Sequence, residues 1–140
     1  MARLYPHDYA RLQRDFPYLL PTDRFQRGLG PGWAPLLRRL CLAILRLGVS
    51  QEVVFSQIKQ KFGELRCSFS GSSREVRTLS RYARIESRAA CERCGDDGRL
   101  AYLDSWMTSV CQDCFDMAAA NDPARDCSWY NLFEEDNDEE

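Results

Sequence analysis

Four cysteines have the types and spacing of a metal site. They form two C-x-x-C pairs, Cys91–Cys94 and Cys111–Cys114, with sixteen residues between the pairs. Two thiolates three residues apart converge on one side of a tight turn, and two such pairs complete a tetrahedron around a zinc ion. Because four thiolates leave no open coordination position, the sequence predicts one structural zinc per chain, bound by Cys91, Cys94, Cys111 and Cys114.

Redox chemistry and coincidence are the competing interpretations of these pairs. A redox-active C-x-x-C pair usually occurs singly, beside a βαβ pattern that this sequence lacks. The odd count of seven cysteines, in a chain that starts without a secretory signal, disfavours a disulfide framework. Cys41 and Cys67 fall on apolar faces and are predicted to be small buried hydrophobes. The role of Cys127 stays open, and His7 is too isolated to be a ligand.

The residues around the cysteine pairs predict the elements that position them. Arg99–Leu103 and Trp106–Val110 have the composition of two short strands about a turn at Asp104-Ser105. The residues after Cys111 favour a helix. A knuckle, a hairpin and a helix with the second pair in its first turn resemble a treble-clef zinc finger. A zinc ribbon would place the second pair in another hairpin instead.

An α-β-β-α core is predicted for residues 32–90, so the chain as a whole has an α+β pattern. From Trp33 to Gly48 the apolar residues recur at helical spacing, which predicts an amphipathic helix. Residues 52–59 are rich in β-forming types, and residues 65–70 alternate between apolar and polar. Together these two stretches predict a β-hairpin with one buried face.

The second helix of this core carries a row of arginines. Ser72 and Glu75 have the spacing of a capping box, which opens a helix that continues to about Ala90. Its arginines recur every three or four residues and form the arginine stripe: Arg74, Arg77, Arg81, Arg84 and Arg88. Neither glutamate of the helix lies three or four residues from an arginine, so no ion pair within the helix neutralises the stripe. A solvated face, contact with nucleic-acid phosphates and contact with an acidic protein surface are all open.

The two ends of the chain differ from the core. Residues 1–31 are rich in proline and glycine and predict an irregular segment with one short helix around Asp8–Phe16. Residues 91–121 form the predicted zinc-binding lobe. Residues 122–140 form an aromatic-acidic tail whose acidic end is predicted to be disordered. Its aromatic residues either dock on a partner or fold back onto their own domain: Trp129, Tyr130 and Phe133.

Charge is distributed unevenly along the chain. Residues 1–90 carry sixteen of the nineteen Lys and Arg residues, whereas residues 91–140 carry fourteen of the twenty-one acidic residues. A basic body with an acidic end predicts that one pole meets a charged partner, or that the two poles meet each other.

Several motifs together resemble a family of small uncharacterised bacterial and phage zinc-knuckle proteins. The family shares a G-W helix, an I-K-x-K-F-G-x-L-R hairpin, a helix, a C-x-x-C-G knuckle and a W-x-x-T/S-x-C segment. The matching stretches here are Gly32-Trp33, Gln57–Arg66, Ser87–Gly95 and Trp106–Cys111. The resemblance covers about residues 28–115 and implies the same zinc-knuckle fold, without implying an activity. The family's last ligand is often His, where this chain has Cys114.

Enzymes and membrane proteins are the classes that the sequence disfavours. The single histidine lies far from the cysteines, and no phosphate loop, nucleophile elbow or dinucleotide motif is present. The longest apolar run, Leu40–Leu45, is far too short to span a bilayer. The sequence therefore predicts a cytoplasmic protein that is not an enzyme, and no small-molecule substrate is evident.

Two functions remain. The first is a zinc-stabilised module that binds a protein partner, as an adaptor, an inhibitor or an immunity-type factor. Its motivation is the acidic tail, the aromatic residues before it and the lack of catalytic groups. The alternative is a nucleic-acid-binding accessory protein that uses the arginine stripe.

Overall fold

The described residues form four α-helices and two small antiparallel sheets, which confirms the predicted α+β class. The computed structural model describes residues 7–21, 24–48, 52–71 and 73–131. In chain order the elements are α1 (His7–Asp15), a 3₁₀ turn (Pro31–Trp33), α2 (Ala34–Arg46), β1 (Val54–Lys61), β2 (Glu64–Ser70), α3 (Arg74–Ser87), β3 (Arg99–Leu103), β4 (Trp106–Val110), α4 (Gln112–Asn121) and β5 (Cys127–Trp129). Over these described ranges, no helix is both long and apolar enough to cross a bilayer.

The cap of α3 is displaced by one residue from its predicted position. Ser73 is the N-cap, and its hydroxyl accepts a hydrogen bond from the backbone N–H of Val76 at 3.2 Å. Ser72, the predicted cap, lies outside the described residues. With Ser73 as the cap, Glu75 is the second helical residue rather than the third, so it lacks the position that a capping box requires.

The first sheet is a hairpin whose turn contains only two residues. β1 pairs with β2 so that Lys61 lies opposite Glu64, which leaves Phe62 and Gly63 to make the turn. Both turn residues have positive φ angles, 54° and 77°, as a type I′ turn requires. Helix α3 packs against β2, and α2 packs against α3. At the other edge of the hairpin, the backbone of Ile58 on β1 exchanges hydrogen bonds with Arg24 and Gln26.

The N-terminal segment contributes to the main hydrophobic core. The side chains of Leu12, Phe16, Leu19 and Leu20 are buried in the same cluster as the apolar face of α2. A backbone hydrogen bond from the N–H of Phe55 to the carbonyl of Leu19, at 2.9 Å, fixes this segment along β1. Although its sequence is irregular, the segment covers one side of the core and removes apolar surface from water.

The second sheet has the strand order β4-β3-β5 and packs against α4. The bounds of β3 and β4 coincide with the two predicted strands. Its small core contains the four paired cysteines with Ala101 and Val110, and Phe115 and Trp129 pack against it. This second core surrounds the cysteines instead of leaving them at the surface.

The buried carboxylate of Glu92 joins the two cores. It accepts hydrogen bonds from the backbone N–H of Gly30 at 3.0 Å and from the hydroxyl of Thr108 at 2.9 Å. The side-chain amide of Gln60 donates to it at 3.4 Å. Gly32 lies so close to the backbone of the first cysteine pair that a Cβ atom at this position would be 2.1 Å from the carbonyl oxygen of Cys91. The first cysteine pair is thus held against the N-terminal segment, β1 and β4 together.

Candidate metal centre and basic groove

The first cysteine pair lies in a knuckle between α3 and β3. The backbone N–H of Gly95 donates to the carbonyl of Cys91 at 2.9 Å, and the N–H of Cys91 donates to the carbonyl of Asp96 at 2.7 Å. Gly95 has a φ of 86°, a conformation that glycine adopts without steric cost. This turn brings the Cys91 and Cys94 side chains to the same side of the chain.

The second pair lies at the start of α4. Cys111 is the N-cap residue, and its sulfur accepts from the backbone N–H of Cys114 at 3.4 Å. The N-terminus of a helix carries partial positive charge and favours a thiolate over a thiol. The helix thus supplies one cysteine from its cap, one from its first turn and a favourable field for both.

The fold brings all four predicted ligands together. Their sulfur atoms lie within 4.8 Å of one another, and all four residues are buried. The sulfurs of Cys94 and Cys111 are 3.6 Å apart, far beyond the roughly 2.05 Å of a disulfide bond. Four thiolates bound tetrahedrally at about 2.3 Å would have sulfur–sulfur distances of about 3.8 Å. The cluster is compatible with a metal site, and no disulfide bond forms in it.

The thiols of this cluster differ in how readily they ionise. Burial raises the pKa of Cys91, but hydrogen bonds from three backbone N–H groups outweigh burial. The pKa of Cys91 is therefore lowered from its ordinary value. Burial raises the pKa of Cys94 to about 12, and the nearby sulfurs of Cys111 and Cys91 add to the rise. The pKa of Cys114 is raised for the same reasons. Four thiolates at this spacing repel one another, so a bound cation would relieve the repulsion.

The remaining cysteines lie elsewhere. Cys41 is buried in the main core, and burial raises the pKa of its thiol to about 12. Cys67 is half-buried on β2 and packs against the same core. Cys127 lies on β5, opposite Leu103 of β3. All three thus lie apart from the four-cysteine cluster.

A carboxylate outside α3, that of Glu64 on β2, pairs with part of the arginine stripe. Glu64, at the start of β2, is 6% exposed and accepts two hydrogen bonds from Arg66, at 3.0 and 2.6 Å. Arg88 donates to its other carboxylate oxygen, and the Nε atom of Arg84 lies 3.7 Å away. The C-terminal part of the stripe is therefore paired with β2. Sequence spacing along α3 alone could not identify this partner.

The middle of the stripe, from Arg77 to Arg84, faces a groove between the hairpin and α3. This basic groove has a volume of about 390 Å³, and six cationic side chains line it: Lys59, Lys61, Arg66, Arg77, Arg81 and Arg84. Lys59 lies directly opposite Arg66 in the strand register, an arrangement that destabilises a hairpin. Over the described parts of the chain, neither the two lysines nor Arg77 and Arg81 form an ion pair.

The spacing along α3 predicted the helix arginines of this groove, whereas its hairpin cations were not predicted: Lys59, Lys61 and Arg66. The available signal was the alternation of Lys59 and Lys61 along one strand, with Arg66 on the other. From the predicted hairpin alone, Lys59 and Arg66 could have been identified as neighbours on adjacent strands. Their closeness to α3 required the tertiary fold. Arg74, at the start of α3, is exposed and does not line the groove.

Two of the aromatic residues before the acidic run, Trp129 and Tyr130, fold back onto the elements around the four-cysteine cluster. The Trp129 ring stacks on Phe115 with centroids 4.2 Å apart, and the guanidinium of Arg99 lies 4.1 Å from the Trp129 centroid. The N–H of Tyr130 donates to the carbonyl of Leu100 at 3.0 Å. Phe133 and the acidic residues 134–140, predicted to be disordered, lie outside the described residues.

The centre and the groove are the two candidate functional features of this fold. One would hold a cation among buried thiolates, and the other would hold an anion among cationic side chains. Comparison with models of protein families, with curated proteins and with solved structures finds no match to this chain.

Proposed function

We propose that this chain is a non-enzymatic, zinc-stabilised protein that binds the phosphate backbone of a nucleic acid in the basic groove. The observation that carries the proposal is the set of six cationic side chains that line one concave surface. Glu64, the carboxylate that contacts Arg66, Arg84 and Arg88, is already bound by guanidinium groups and is not free to act as a base. The groove has the chemistry of binding rather than of proton transfer.

Zinc is the metal that the centre suits best. Four cysteine thiolates select zinc or an iron–sulfur cluster, and a sulfur–sulfur distance of 3.6 Å suits a single tetrahedral ion. Such an ion would have no open position for water or substrate, so its role would be structural. Metal analysis of the purified protein tests this: one zinc per chain is expected, and a coloured protein containing iron and sulfide would contradict it.

The path of the chain around the centre supports a treble-clef arrangement. The knuckle at Cys91 and Cys94 is followed by the β3–β4 hairpin and then by α4, which carries Cys111 and Cys114 at its start. A zinc ribbon would require the second pair in a turn between strands. The helix dipole directed at the second pair also favours the treble-clef assignment.

Phosphate is the ligand that best explains the charges of the groove. Lys59 and Arg66 are held opposite each other, and Arg77 and Arg81 have no acidic partner among the described residues. Keeping like charges this close costs free energy, which bound phosphates would recover. Because arginine binds phosphate with two parallel N–H groups, Arg77 and Arg81 suit a backbone contact. Contacts of this kind carry little sequence specificity.

The predicted protein partner has less support, because two of its three aromatic candidates are engaged within the chain. Phe115 and Arg99 contact the Trp129 ring, and the Tyr130 ring lies beside Tyr102 with centroids 6.1 Å apart. An acidic protein surface is the competing occupant of the groove, and the experiment below distinguishes it from a nucleic acid.

The experiment is a titration of fluorescent single-stranded and duplex oligonucleotides with the zinc-loaded protein over a range of salt concentrations. If about four phosphates are neutralised, the logarithm of the association constant should fall with the logarithm of salt with a slope of about −3 for a single strand. The double substitution Arg77→Glu and Arg81→Glu should weaken binding about a hundredfold at low salt, because it replaces two phosphate contacts by repulsion.

The matched control is Arg11→Glu with Arg14→Glu, on α1. Both residues are exposed on a helix and outside the groove, so the control makes the same change in net charge. An equal loss in both double variants would mean that net charge, rather than the groove, governs binding. Failure of the wild-type protein to bind any oligonucleotide at low salt would refute the proposal and leave an acidic protein as the candidate partner.

A further inference from the structure

An aromatic cleft lies at the turn of the first hairpin and shares one lining residue, Lys61, with the basic groove. The cleft has a volume of about 400 Å³ and lies between the β1–β2 turn and the β3–β4 hairpin. Phe62, Tyr102, Trp106 and Met107 line it, and Lys61 lines both the cleft and the groove. The two hollows are therefore neighbours, one cationic and one aromatic.

Two of the three aromatic side chains that line the cleft are exposed to solvent. Phe62 is 62% exposed and Trp106 is 56% exposed, whereas the Trp33 side chain is fully buried. The backbone beneath them is anchored: the hydroxyl of Ser109 donates to the carbonyl of Gly63, and the Gln60 amide donates to the carbonyl of Met107, both at 2.7 Å. The exposed rings thus stand on a fixed base, and no reorganisation is needed to present them.

Phe62 also occupies a backbone position that favours other residues. Its φ of 54° is in the left-handed region, where Asn, Asp or Gly is usual in a type I′ turn and a bulky side chain is strained. Because most of the ring is exposed, its burial within the chain contributes little to stability. A residue that opposes both the turn preference and burial is typical of a position kept for binding.

We infer that the nucleic acid is single-stranded and that Phe62 and Trp106 stack against its unpaired bases; this inference rests on the proposed function. The phosphates would lie in the groove along Lys59, Arg77 and Arg81, and Lys61 would mark the passage from backbone to base. Its ammonium group lies 5.5 Å from the centroid of the Phe62 ring. A charged groove with adjoining aromatic rings is the usual composition of a single-strand site. In a duplex the base faces are already stacked and cannot reach these rings.

The test compares oligo(dT) of about 15 nucleotides, a length within common single-strand site sizes, with a duplex of the same length. Zinc-loaded full-length protein is expected to bind oligo(dT) at least about tenfold more tightly than the duplex at the same salt. Changing Phe62→Asn together with Trp106→Ala should weaken oligo(dT) binding roughly ten- to hundredfold and leave duplex binding unchanged. The control is Tyr82→Ala, an exposed aromatic residue outside the cleft, which should change neither affinity.

Phe62→Asn alone keeps the test independent of folding. Asn adopts the left-handed turn readily, so this variant should melt at the same or a higher temperature while it binds oligo(dT) more weakly. Equal wild-type affinity for the two probes, or an equal loss on both probes in the double variant, would overturn the inference and leave the proposed function standing. If the wild-type protein binds neither probe, the proposed function is refuted as well.

Discussion

The four-cysteine lobe, residues 91–131, and the unit formed by β1, β2 and α3 use charge in different ways. In the lobe, Arg99 covers the Trp129 ring and Arg125 lies 3.3 Å from Asp104, so both cations hold the chain's own elements together. In the hairpin–helix unit, Glu64 gathers three arginines, and the groove beside it keeps its other cations unpaired among the described residues.

This difference separates the part of the molecule that would be stabilised by a metal from the part that would meet a partner. The lobe's sulfurs are buried and its polar groups are used internally. The groove retains like charges in close proximity, at a cost to stability that an anionic ligand would offset. The comparison predicts that substitutions in the lobe change folding first, whereas substitutions in the groove change binding first.

The largest effect should follow removal of two ligands, Cys111→Ser with Cys114→Ser. Binding of a structural zinc is worth on the order of 10 kcal/mol, so the β3–β4 hairpin and α4 should lose their fixed structure. Hydrogen exchange would show loss of protection in the lobe, and metal analysis would show loss of zinc. Cys127→Ser, on β5 and outside the cluster, is the control and should retain both. Full protection of the double variant without metal would contradict a structural role for the centre.

A smaller effect is expected where the two regions meet. Glu92→Gln places an amide NH₂ group near the N–H of Gly30 or the hydroxyl of Thr108, and removes a charge from both hydrogen bonds. We expect a loss of about 2 kcal/mol in the free energy of unfolding, measured by denaturant titration. Zinc should remain bound, because all four sulfurs are unchanged. Loss of zinc in this variant would show that Glu92 controls the centre and not only its attachment to the core.

Glu64→Gln should sharpen the contrast, because its effects on stability and on binding have opposite signs. Removal of the carboxylate charge leaves Arg66, Arg84 and Arg88 close together without an anion. Because these arginines are 31–47% exposed, water screens part of the repulsion, and the loss of stability should be about 1–2 kcal/mol. Oligonucleotide binding should become several-fold tighter and more dependent on salt. Weaker binding by a folded variant would argue against phosphates in the groove.

The smallest effect is expected from removal of residues 132–140. This segment carries six acidic residues and no basic residue, so it contributes repulsion toward any polyanion. A chain that ends at Asn131 should bind oligonucleotides a few-fold more tightly at low salt and equally at high salt, where the repulsion is screened. A truncation that weakens capture of a protein partner would instead favour the predicted protein-binding function.

Much of the lobe could be predicted from sequence because its determinants are local. The spacing of two C-x-x-C pairs, the turn at Asp104-Ser105 and the strand-forming composition on either side of it lie within a few residues of one another. These patterns predicted the bounds of β3 and β4 and the four residues that converge. The bounds of α3 were less accurate. Its cap is Ser73, although Ser72 satisfies the same local preference one residue earlier, and the helix ends at Ser87 instead of about Ala90.

The sequence by itself determined the cysteine cluster, the helices and the two hairpins, since each depends on hydrogen bonds and side-chain spacings within one turn or strand pair. Only the tertiary structure decided which arginines are paired, because Glu64 reaches Arg84 and Arg88 through the packing of β2 against α3. It also decided that Trp129 stacks on Phe115 and that Phe62 and Trp106 line the same cleft. Contacts between elements distant in sequence depend on how those elements pack, and no local pattern records that packing.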